Sequence, residues 1–260
     1  MIRICWSIVV LAFAGVCAGR AAVLFAGSYS QDFDSLSSTE STGNTWTDNS
    51  TIAGWYANQS VYAVNHGNSQ SVGLYAFGSS GSSDRALGSI TGTGATTIYY
   101  GVALQNNTGG TITVIQINYQ GEQWRLGNGS VADTLTFQYL TGDPSGNNIA
   151  SGIWITVPSL NFTSPQTGSS GTSLDGNAAA NSATISFALN GLDVANGSDI
   201  WFRWMDNDVT GNDAGLAIDN LSITAVPESS AWGAIAGAGL LALCGWHVWR
   251  QYRYGEKLKS

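Results

Sequence analysis

The chain has 260 residues, enough for one large β domain or two small domains, and its 17 acidic and 9 basic side chains give a net charge of −8. Only 10% of the residues are charged, 11% are aromatic, and there are 33 glycines and 10 tryptophans. This composition is typical of an all-β domain and excludes a helical bundle, a disordered chain and a basic nucleic-acid-binding surface.

Residues 1–22 are predicted to form a secretory signal peptide. A basic residue at position 3 precedes an apolar run over residues 4–16, and small residues follow that run. The run is shorter than the roughly 20 residues that a membrane-spanning helix needs, whereas it suits the apolar core of a signal peptide. The pattern leaves three cleavage points open: after Ala18, Ala21 or Ala22.

Residues 23–225 form the predicted extracytoplasmic domain. They contain 15 acidic residues, three arginines, one histidine, no lysine and no cysteine. A disulfide framework, a thiolate nucleophile and a lysine Schiff base are therefore excluded within this segment. The histidine, His66, lies between Asn and Gly residues, and no Gly-x-Ser-x-Gly motif accompanies it, so we expect an exposed loop residue and not a catalytic base.

Alternation of apolar and polar side chains predicts many strands in this domain. The alternation is clearest at residues 135–139 and 183–189. Between Val114 and Ile115 the apolar pattern changes face, which predicts a bulge or a second buried face. Further strands are predicted over residues 52–57, 60–64, 71–77, 96–105, 153–157, 200–206 and 215–225.

Ten or more strands without a helical pattern predict an all-β fold, an antiparallel, jelly-roll-like β-sandwich. The Ser-, Gly- and Asn-rich residues 164–181 are predicted to form one long loop. Residues 31–36 and 215–223 look similar to the first and last strands of secreted bacterial carbohydrate-binding and concanavalin-like sandwiches. That resemblance implies the fold and leaves the ligand open.

Two carboxylates across a cleft would suit a glycosidase. The candidates are Glu122, which lies beside Trp124, and either Asp206 or Asp208. A solvated Glu122 that pairs with Arg125 at a strand end explains the same residues without catalysis, and this interpretation is favoured. We therefore predict no catalytic residues and no enzyme activity.

Asp206, Asp208 and Asp213 lie on a short Asp-, Asn- and Gly-containing segment. Such oxygen-rich loops suit Ca²⁺, which takes six to eight oxygen ligands. Asx turns explain the same composition without a metal, so Ca²⁺ is an alternative here and no other cofactor is indicated.

Trp55 and Trp124 are candidates for stacking on a sugar ring, provided that their faces are exposed. The alternative is that they fill the core of a sandwich that has few leucines.

Residues 231–249 form an apolar stretch without Asp, Glu, Lys or Arg. As a helix they would extend about 28 Å, close to the hydrocarbon thickness of a bilayer. A basic tail over residues 250–260 follows, and the positive-inside rule places it in the cytoplasm. Its basic residues are Arg250, Arg253, Lys257 and Lys259.

A short motif, Val226-Pro227-Glu228-Ser229, precedes the apolar stretch. The order of Pro-Glu motif, spanning helix and basic tail resembles the PEP-CTERM sorting signal of exported bacterial proteins, although Ser229 stands where the fuller motif has a second Pro. The resemblance covers residues 226–260 and implies processing by an exosortase-type membrane protease in an exopolysaccharide-producing bacterium. A plain single-pass anchor is the alternative.

Three functions remain open from the sequence. The favoured one is a non-enzymatic cell-surface or extracellular-matrix protein that is exported through the inner membrane, anchored by its C-terminal helix and then processed. The second is a module that binds exopolysaccharide, with or without calcium. The third is a glycan-active enzyme that uses paired carboxylates.

Overall fold

The computed structural model describes residues 22–92, 97–127, 131–168, 171–209, 211 and 213–227. Most of the predicted signal peptide, the motif residues Glu228 and Ser229, the predicted helix 231–249 and the basic tail 250–260 lie outside the described residues. Within the described ranges, no helix is both long enough and apolar enough to cross a membrane.

Fifteen strands in the described ranges form two sheets, as the predicted sandwich requires. The seven-stranded sheet contains β1 (Val23–Phe25), β4 (Trp55–Ala57), β8 (Ile98–Asn106), β10 (Thr134–Thr141), β11 (Ile155–Thr156), β12 (Phe162–Thr163) and β14 (Asp199–Asp206). The eight-stranded sheet contains β2 (Ser28–Gln31), β3 (Ser41–Thr45), β5 (Val61–Asn65), β6 (Gly73–Phe77), β7 (Ala86–Ile90), β9 (Ile112–Arg125), β13 (Ser182–Val194) and β15 (Gly215–Ala225). A 3-10 turn, Pro158–Leu160, precedes β12.

Most neighbouring strands run antiparallel, as predicted. The main strand order is β1-β8-β14-β10-β11 in the first sheet and β13-β9-β15-β7-β6-β5-β3 in the second. Two pairs depart from the prediction, because β1 runs parallel to β8 and β5 runs parallel to β6. Strands β1 and β8 are far apart in the sequence, and residues 66–72 separate β5 from β6, so neither pair is joined by a two-residue hairpin.

Trp204 lies at the centre of the core between the two sheets. Its ring stacks on Trp55 at 6.0 Å and on Tyr100 at 6.3 Å between centroids, and it meets Tyr119 and Phe137 edge-on at 5.4 and 5.2 Å. Tyr119 comes from the eight-stranded sheet and Phe137 from the seven-stranded sheet. Aromatic contacts therefore hold the two sheets together where a sandwich with few leucines needs large side chains.

The period-two alternation correctly predicts the strands β10 and β13. The irregularity that was expected near Val114 is present on the partner strand, because the register of β13 against β9 shifts between Asn190 and Val194. Asn190 pairs with Val114, so the bulge lies next to the predicted position but on β13, the partner strand of β9. Both Ile112 and Ile115 belong to the core, although they are three positions apart on β9.

Residues 31–36 are not a strand, contrary to the resemblance noted above. Strand β2 ends at Gln31, Phe33 has a φ of 60°, and the N–H of Leu36 donates to the carbonyl of Phe33 in a turn. The first and last parts of the domain nevertheless meet, because β2 pairs with β15. In the predicted loop 164–181, the described residues contain no strand.

Candidate functional site

Strand β9 presents a row of polar side chains on the outer face of the eight-stranded sheet. Ile115, Ile117 and Tyr119 belong to the core. The residues that alternate with them face outward because successive side chains of a strand point to opposite faces. This outward row consists of Gln116, Asn118, Gln120, Glu122 and Trp124.

A cavity of ≈ 290 Å³ opens on this face, and we call it the outer pocket. It receives side chains from β9, β13, β15 and the loop that precedes β13. Its lining residues are Asn118, Tyr119, Gln120, Glu122, Asn177, Ser182, Thr184 and Asn220.

Strand register brings the polar groups of the outer pocket together. Glu122 pairs with Ser182, and Gln120 pairs with Thr184, whose Oγ1 donates to the Gln120 Oε1 at 3.0 Å. Side chains directly opposite each other in a sheet lie about 5 Å apart, so β9 and β13 form a ladder of amides and hydroxyls. This ladder forms one side of the pocket.

Strand β15 forms the other side of the outer pocket. Its register against β9 shifts between Asp219 and Ser222. Asn220 lies within this bulge with a φ of 50°, a left-handed conformation that Asn tolerates better than most residues. The bulge turns Asn220 outward, where it also lines a second cavity of ≈ 280 Å³ beside β2. Bulges commonly redirect a side chain in this way.

Glu122 is 2% exposed and lines the outer pocket. Trp124 Nε1–H donates to its Oε2 at 2.8 Å. Burial raises the pKa of Glu122 to about 7, and the negative charges of Asp84 and Asp175 add to this effect. The prediction of a solvated Glu122 that pairs with Arg125 is wrong in both parts, since Glu122 is buried and the Arg125 guanidinium donates to the Gly67 carbonyl at 2.9 Å.

Asp219 lies beside Glu122 on the same outer face, in a diagonal position across β9 and β15. Burial raises the pKa of Asp219 to about 8, with further contributions from the charges of Glu122, Asp84 and Asp34. Asn220 Nδ2–H donates to its Oδ2 at 2.6 Å, while its buried Oδ1 has no hydrogen-bond partner in the part of the chain that the structure describes. Sequence analysis did not select Asp219 for this site.

The loop that precedes β13 covers part of the outer face. Gly176 lies over the Trp124 ring so closely that a Cβ there would be 2.3 Å from Trp124 Cε2. The neighbouring Asn177 donates from Nδ2 to Asp84 Oδ2 at 2.7 Å. Only a glycine permits this approach, and the approach brings Asn177 to the rim of the outer pocket.

Neither predicted stacking residue presents a ring to solvent. Trp55 is 0% exposed in the core, and Trp124 is 1% exposed beneath the loop. Trp124 faces outward, as a stacking residue should, but Gly176 occupies the space above its ring. In this structure, neither side chain can stack on a sugar.

The acidic segment at the end of β14 does not form the predicted oxygen cage. Asp206 is buried and accepts a hydrogen bond from Ser89 Oγ at 2.6 Å, whereas Asp208 is exposed. Asp213 is buried and bonds to Thr91. In the described ranges, no group of three or more His, Cys, Asp or Glu side chains could hold a metal ion. Calcium binding stays a prediction from composition.

Glu122 and Asp206, one of the two predicted pairs of glycosidase carboxylates, are also separated. Glu122 lies on the outer face of the eight-stranded sheet, whereas Asp206 points to Ser89 on the inner side of β7. The two carboxyl groups therefore lie on opposite sides of one sheet and cannot flank a single glycosidic bond.

His66, the histidine that the sequence predicts on a loop, contacts the carboxylate of Glu40.

Most residues of the outer pocket were missed by sequence analysis. One signal was available, because every second residue from Gln116 to Glu122 is an amide or a carboxyl. Such alternation marks the face of a strand that points away from the core. Asn177 and Asn220 gave no such signal, since a loop and a bulge bring them to the pocket.

Comparisons with known proteins find no matching family model and no matching curated protein. Among the solved structures that are similar in part are the following three. The K2 cleaved adhesin domain of Lys-gingipain is 13% identical, with 76% of this chain and 98% of that chain covered and a TM-score of 0.38. The CBM22-1 xylan-binding domain from Paenibacillus barcinonensis Xyn10C is 12% identical, with 77% and 95% covered and a TM-score of 0.36.

The third structure is the enzymatically active domain of tailspike protein 4 from bacteriophage CBA120, which is 12% identical with a TM-score of 0.38. The match covers 67% of this chain and only 20% of the tailspike chain. With TM-scores below 0.5, these three likenesses support no conclusion about function.

Proposed function

We propose that the sandwich binds a polysaccharide in the outer pocket without cleaving it. The observation that carries this proposal is the pocket lining, in which amide, hydroxyl and carboxyl groups from β9, β13, β15 and one loop converge on ≈ 290 Å³. Amides and hydroxyls both donate and accept hydrogen bonds, which matches the hydroxyl-rich surface of a sugar chain. A few convergent polar groups in a concave site are typical of ligand pockets.

The separation of the predicted carboxylates supports binding without cleavage. Glu122 lines the outer pocket, whereas Asp206 accepts a hydrogen bond from Ser89 on the inner side of β7, so these two groups cannot flank one glycosidic bond.

Removing the amide ladder is expected to weaken polysaccharide binding. The double variant Asn118→Ala/Gln120→Ala removes two amides that line the outer pocket, and we expect at least about a tenfold loss of affinity, equivalent to one or two net hydrogen bonds. Affinity electrophoresis of the full chain in gels containing host exopolysaccharide measures this loss.

Gln105→Ala is the matched control for the pocket variant. Gln105 is a half-buried amide on the outer side of β8, in the opposite sheet, where it donates to Asp199. The Gln105→Ala variant should migrate through the exopolysaccharide gel with the same retardation as wild type. Equal losses in the pocket variant and in Gln105→Ala would contradict binding at the outer pocket.

We also propose that residues 226–260 act as a PEP-CTERM-like sorting signal on an exported cell-surface or matrix protein. The end of the fold supports this, because β15 finishes at Ala225, immediately before the motif. Val226 is 43% exposed, and its N–H donates to the Val114 carbonyl at 3.0 Å. A cut near Pro227-Glu228 by an exosortase-type protease would therefore leave every strand in place.

Removing residues 228–260 is expected to release a folded domain from the membrane fraction. The reason is that the fifteen strands of the described residues and the Val226 hydrogen bond precede the deletion. In the host, Pro227→Ala/Glu228→Ala should leave the chain full length and membrane-bound, because the motif for the protease is lost. Fractionation and intact mass measure both outcomes. A wild-type chain that keeps its tail, and behaves like the Ala-Ala variant, would instead indicate a permanent anchor.

A further inference from the structure

We infer that the outer pocket continues into the second cavity beside β2, and that the two cavities together hold several consecutive sugar units of an uncharged polysaccharide. This inference rests on the proposed polysaccharide binding and specifies the length and the charge of the ligand.

The second cavity, which we call the β2 cavity, has a volume of ≈ 280 Å³. Its lining residues are Ser30, Gln31, Asp32, Asn220, Leu221 and Ser222. Asn220, in the bulge of β15, also lines the outer pocket of ≈ 290 Å³. The two cavities therefore meet at this bulge, and we call them together the joined groove.

Strand register places the two linings side by side on one face of the sheet. Asn118 of the outer pocket lies directly opposite Ser222 of the β2 cavity, and Ser222 in turn lies opposite Ser30. Directly opposite residues point to the same face of a sheet, so Ser222 and Ser30 face outward with Asn118. Leu221 and Ile223, on either side of Ser222, belong to the core, as this orientation requires. One amide and two hydroxyls thus form a row across three neighbouring strands.

The joined groove crosses four neighbouring strands. Thr184 on β13 lies opposite Gln120 on β9, and β9 is followed by β15 and then by β2. Neighbouring strands are about 4.8 Å apart, so the two outer strands of this set are separated by about 14 Å. One sugar ring is much shorter than this distance. A ligand that contacts both β13 and β2 must therefore be a chain of several sugar units.

Most side chains of the joined groove are uncharged. Each lining contains one carboxyl, Glu122 in the outer pocket and Asp32 in the β2 cavity, and the other lining residues are neutral. Neutral amides and hydroxyls donate and accept hydrogen bonds, as the hydroxyls of an uncharged sugar do. A uronic acid would bring its own carboxylate close to these two carboxyls and be repelled. The lining therefore favours an uncharged chain.

Titration calorimetry of the full chain in detergent at pH 8 measures how affinity depends on the length and charge of the ligand. The probes are host-exopolysaccharide fragments, from disaccharide to hexasaccharide, whose carboxyl groups have been reduced to primary alcohols. Acidic counterparts of equal length are made by oxidising primary alcohols to carboxylates. We expect the neutral hexasaccharide to bind at least about tenfold tighter than the neutral disaccharide, because only the longer fragment reaches the β2 cavity. The acidic hexasaccharide should bind more weakly than the neutral one.

The double variant Ser30→Ala/Ser222→Ala removes two hydroxyls of the β2 cavity. We expect it to weaken binding of the neutral hexasaccharide by about fivefold and to leave binding of the disaccharide unchanged. Ser28→Ala/Thr224→Ala is the matched control. It removes the hydroxyls of another directly opposite pair on the same two strands, outside both linings, and should change neither affinity.

The outcomes separate the inference from the proposed function. If the disaccharide and the hexasaccharide bind equally, and Ser30→Ala/Ser222→Ala changes neither affinity, the ligand occupies the outer pocket alone. That result overturns the joined groove and leaves polysaccharide binding intact. Equal binding of the neutral and the acidic hexasaccharide overturns the selection of an uncharged chain. Absence of binding to every fragment and to host exopolysaccharide overturns both the inference and the proposed function.

Discussion

Replacing Asp206 with Asn is expected to raise the melting temperature of the domain at pH 8 by roughly 5–10 °C. Asp206 is 3% exposed, and burial raises its pKa to about 8, with further contributions from the charges of Asp213 and Asp133. The folded chain holds a proton on Asp206 that the unfolded chain loses above about pH 4. Stability therefore falls as pH rises from about 4 to 8, by an amount on the order of a few kcal/mol.

The amide introduced by Asp206→Asn stays neutral and can still accept the hydrogen bond from Ser89, so the variant should show a flatter dependence of melting temperature on pH. Near pH 4 the two proteins should differ little. Calorimetric scans of the full chain between pH 4 and 8 measure the melting temperatures of both proteins. Asp208→Asn, at an exposed position, is the control and should shift the melting temperature by no more than about 2 °C. If the melting temperatures of wild type and Asp206→Asn depend on pH in the same way, the folded chain does not hold a proton on Asp206, and the prediction is wrong.

Replacing Trp204 with Ala is expected to destabilise the domain by about 3–5 kcal/mol. Trp204 is fully buried and contacts four aromatic rings from both sheets, so its loss leaves a cavity that these rigid rings cannot close. The midpoint of urea unfolding, followed by tryptophan fluorescence, measures the change.

Met205→Ala is the adjacent control, because Met205 is half-buried on the outer side of β14. It should cost clearly less than the loss of Trp204. Where Trp204→Ala does not fold, Trp204→Phe should still lower the midpoint, since it removes part of the same ring. A Trp204→Phe midpoint equal to that of wild type would contradict the central position of Trp204 in the core.

The long strands were predictable because their two faces meet different environments. Strands β10 and β13 alternate apolar and polar side chains, and this period is visible in the sequence. Strand β3 is entirely polar and was missed, because its backbone pairing to β5 gives no pattern of side chains. Strand β7 was missed for the opposite reason, since all five of its residues are buried.

The outer pocket depends on contacts between distant parts of the chain, which a single sequence does not display. Asp219 and Glu122 become neighbours only through the register of β15 against β9. Trp124 was correctly expected next to Glu122, but Gly176 covers its ring from a loop about 50 residues further along the chain. Outward-facing residues of a sandwich can therefore be buried by loops, and the alternation of a strand does not reveal this.

Hydrogen–deuterium exchange of the full chain, with and without host exopolysaccharide, tests polysaccharide binding at the outer pocket most directly. We expect slower exchange in peptides covering residues 118–122, 177–184 and 219–222, because these segments line or border the pocket. Peptides that cover β8 and β14, in the seven-stranded sheet, should exchange at unchanged rates. Protection confined to the seven-stranded sheet, or no protection at ligand concentrations that saturate binding, would contradict the assignment of the outer pocket as the polysaccharide site.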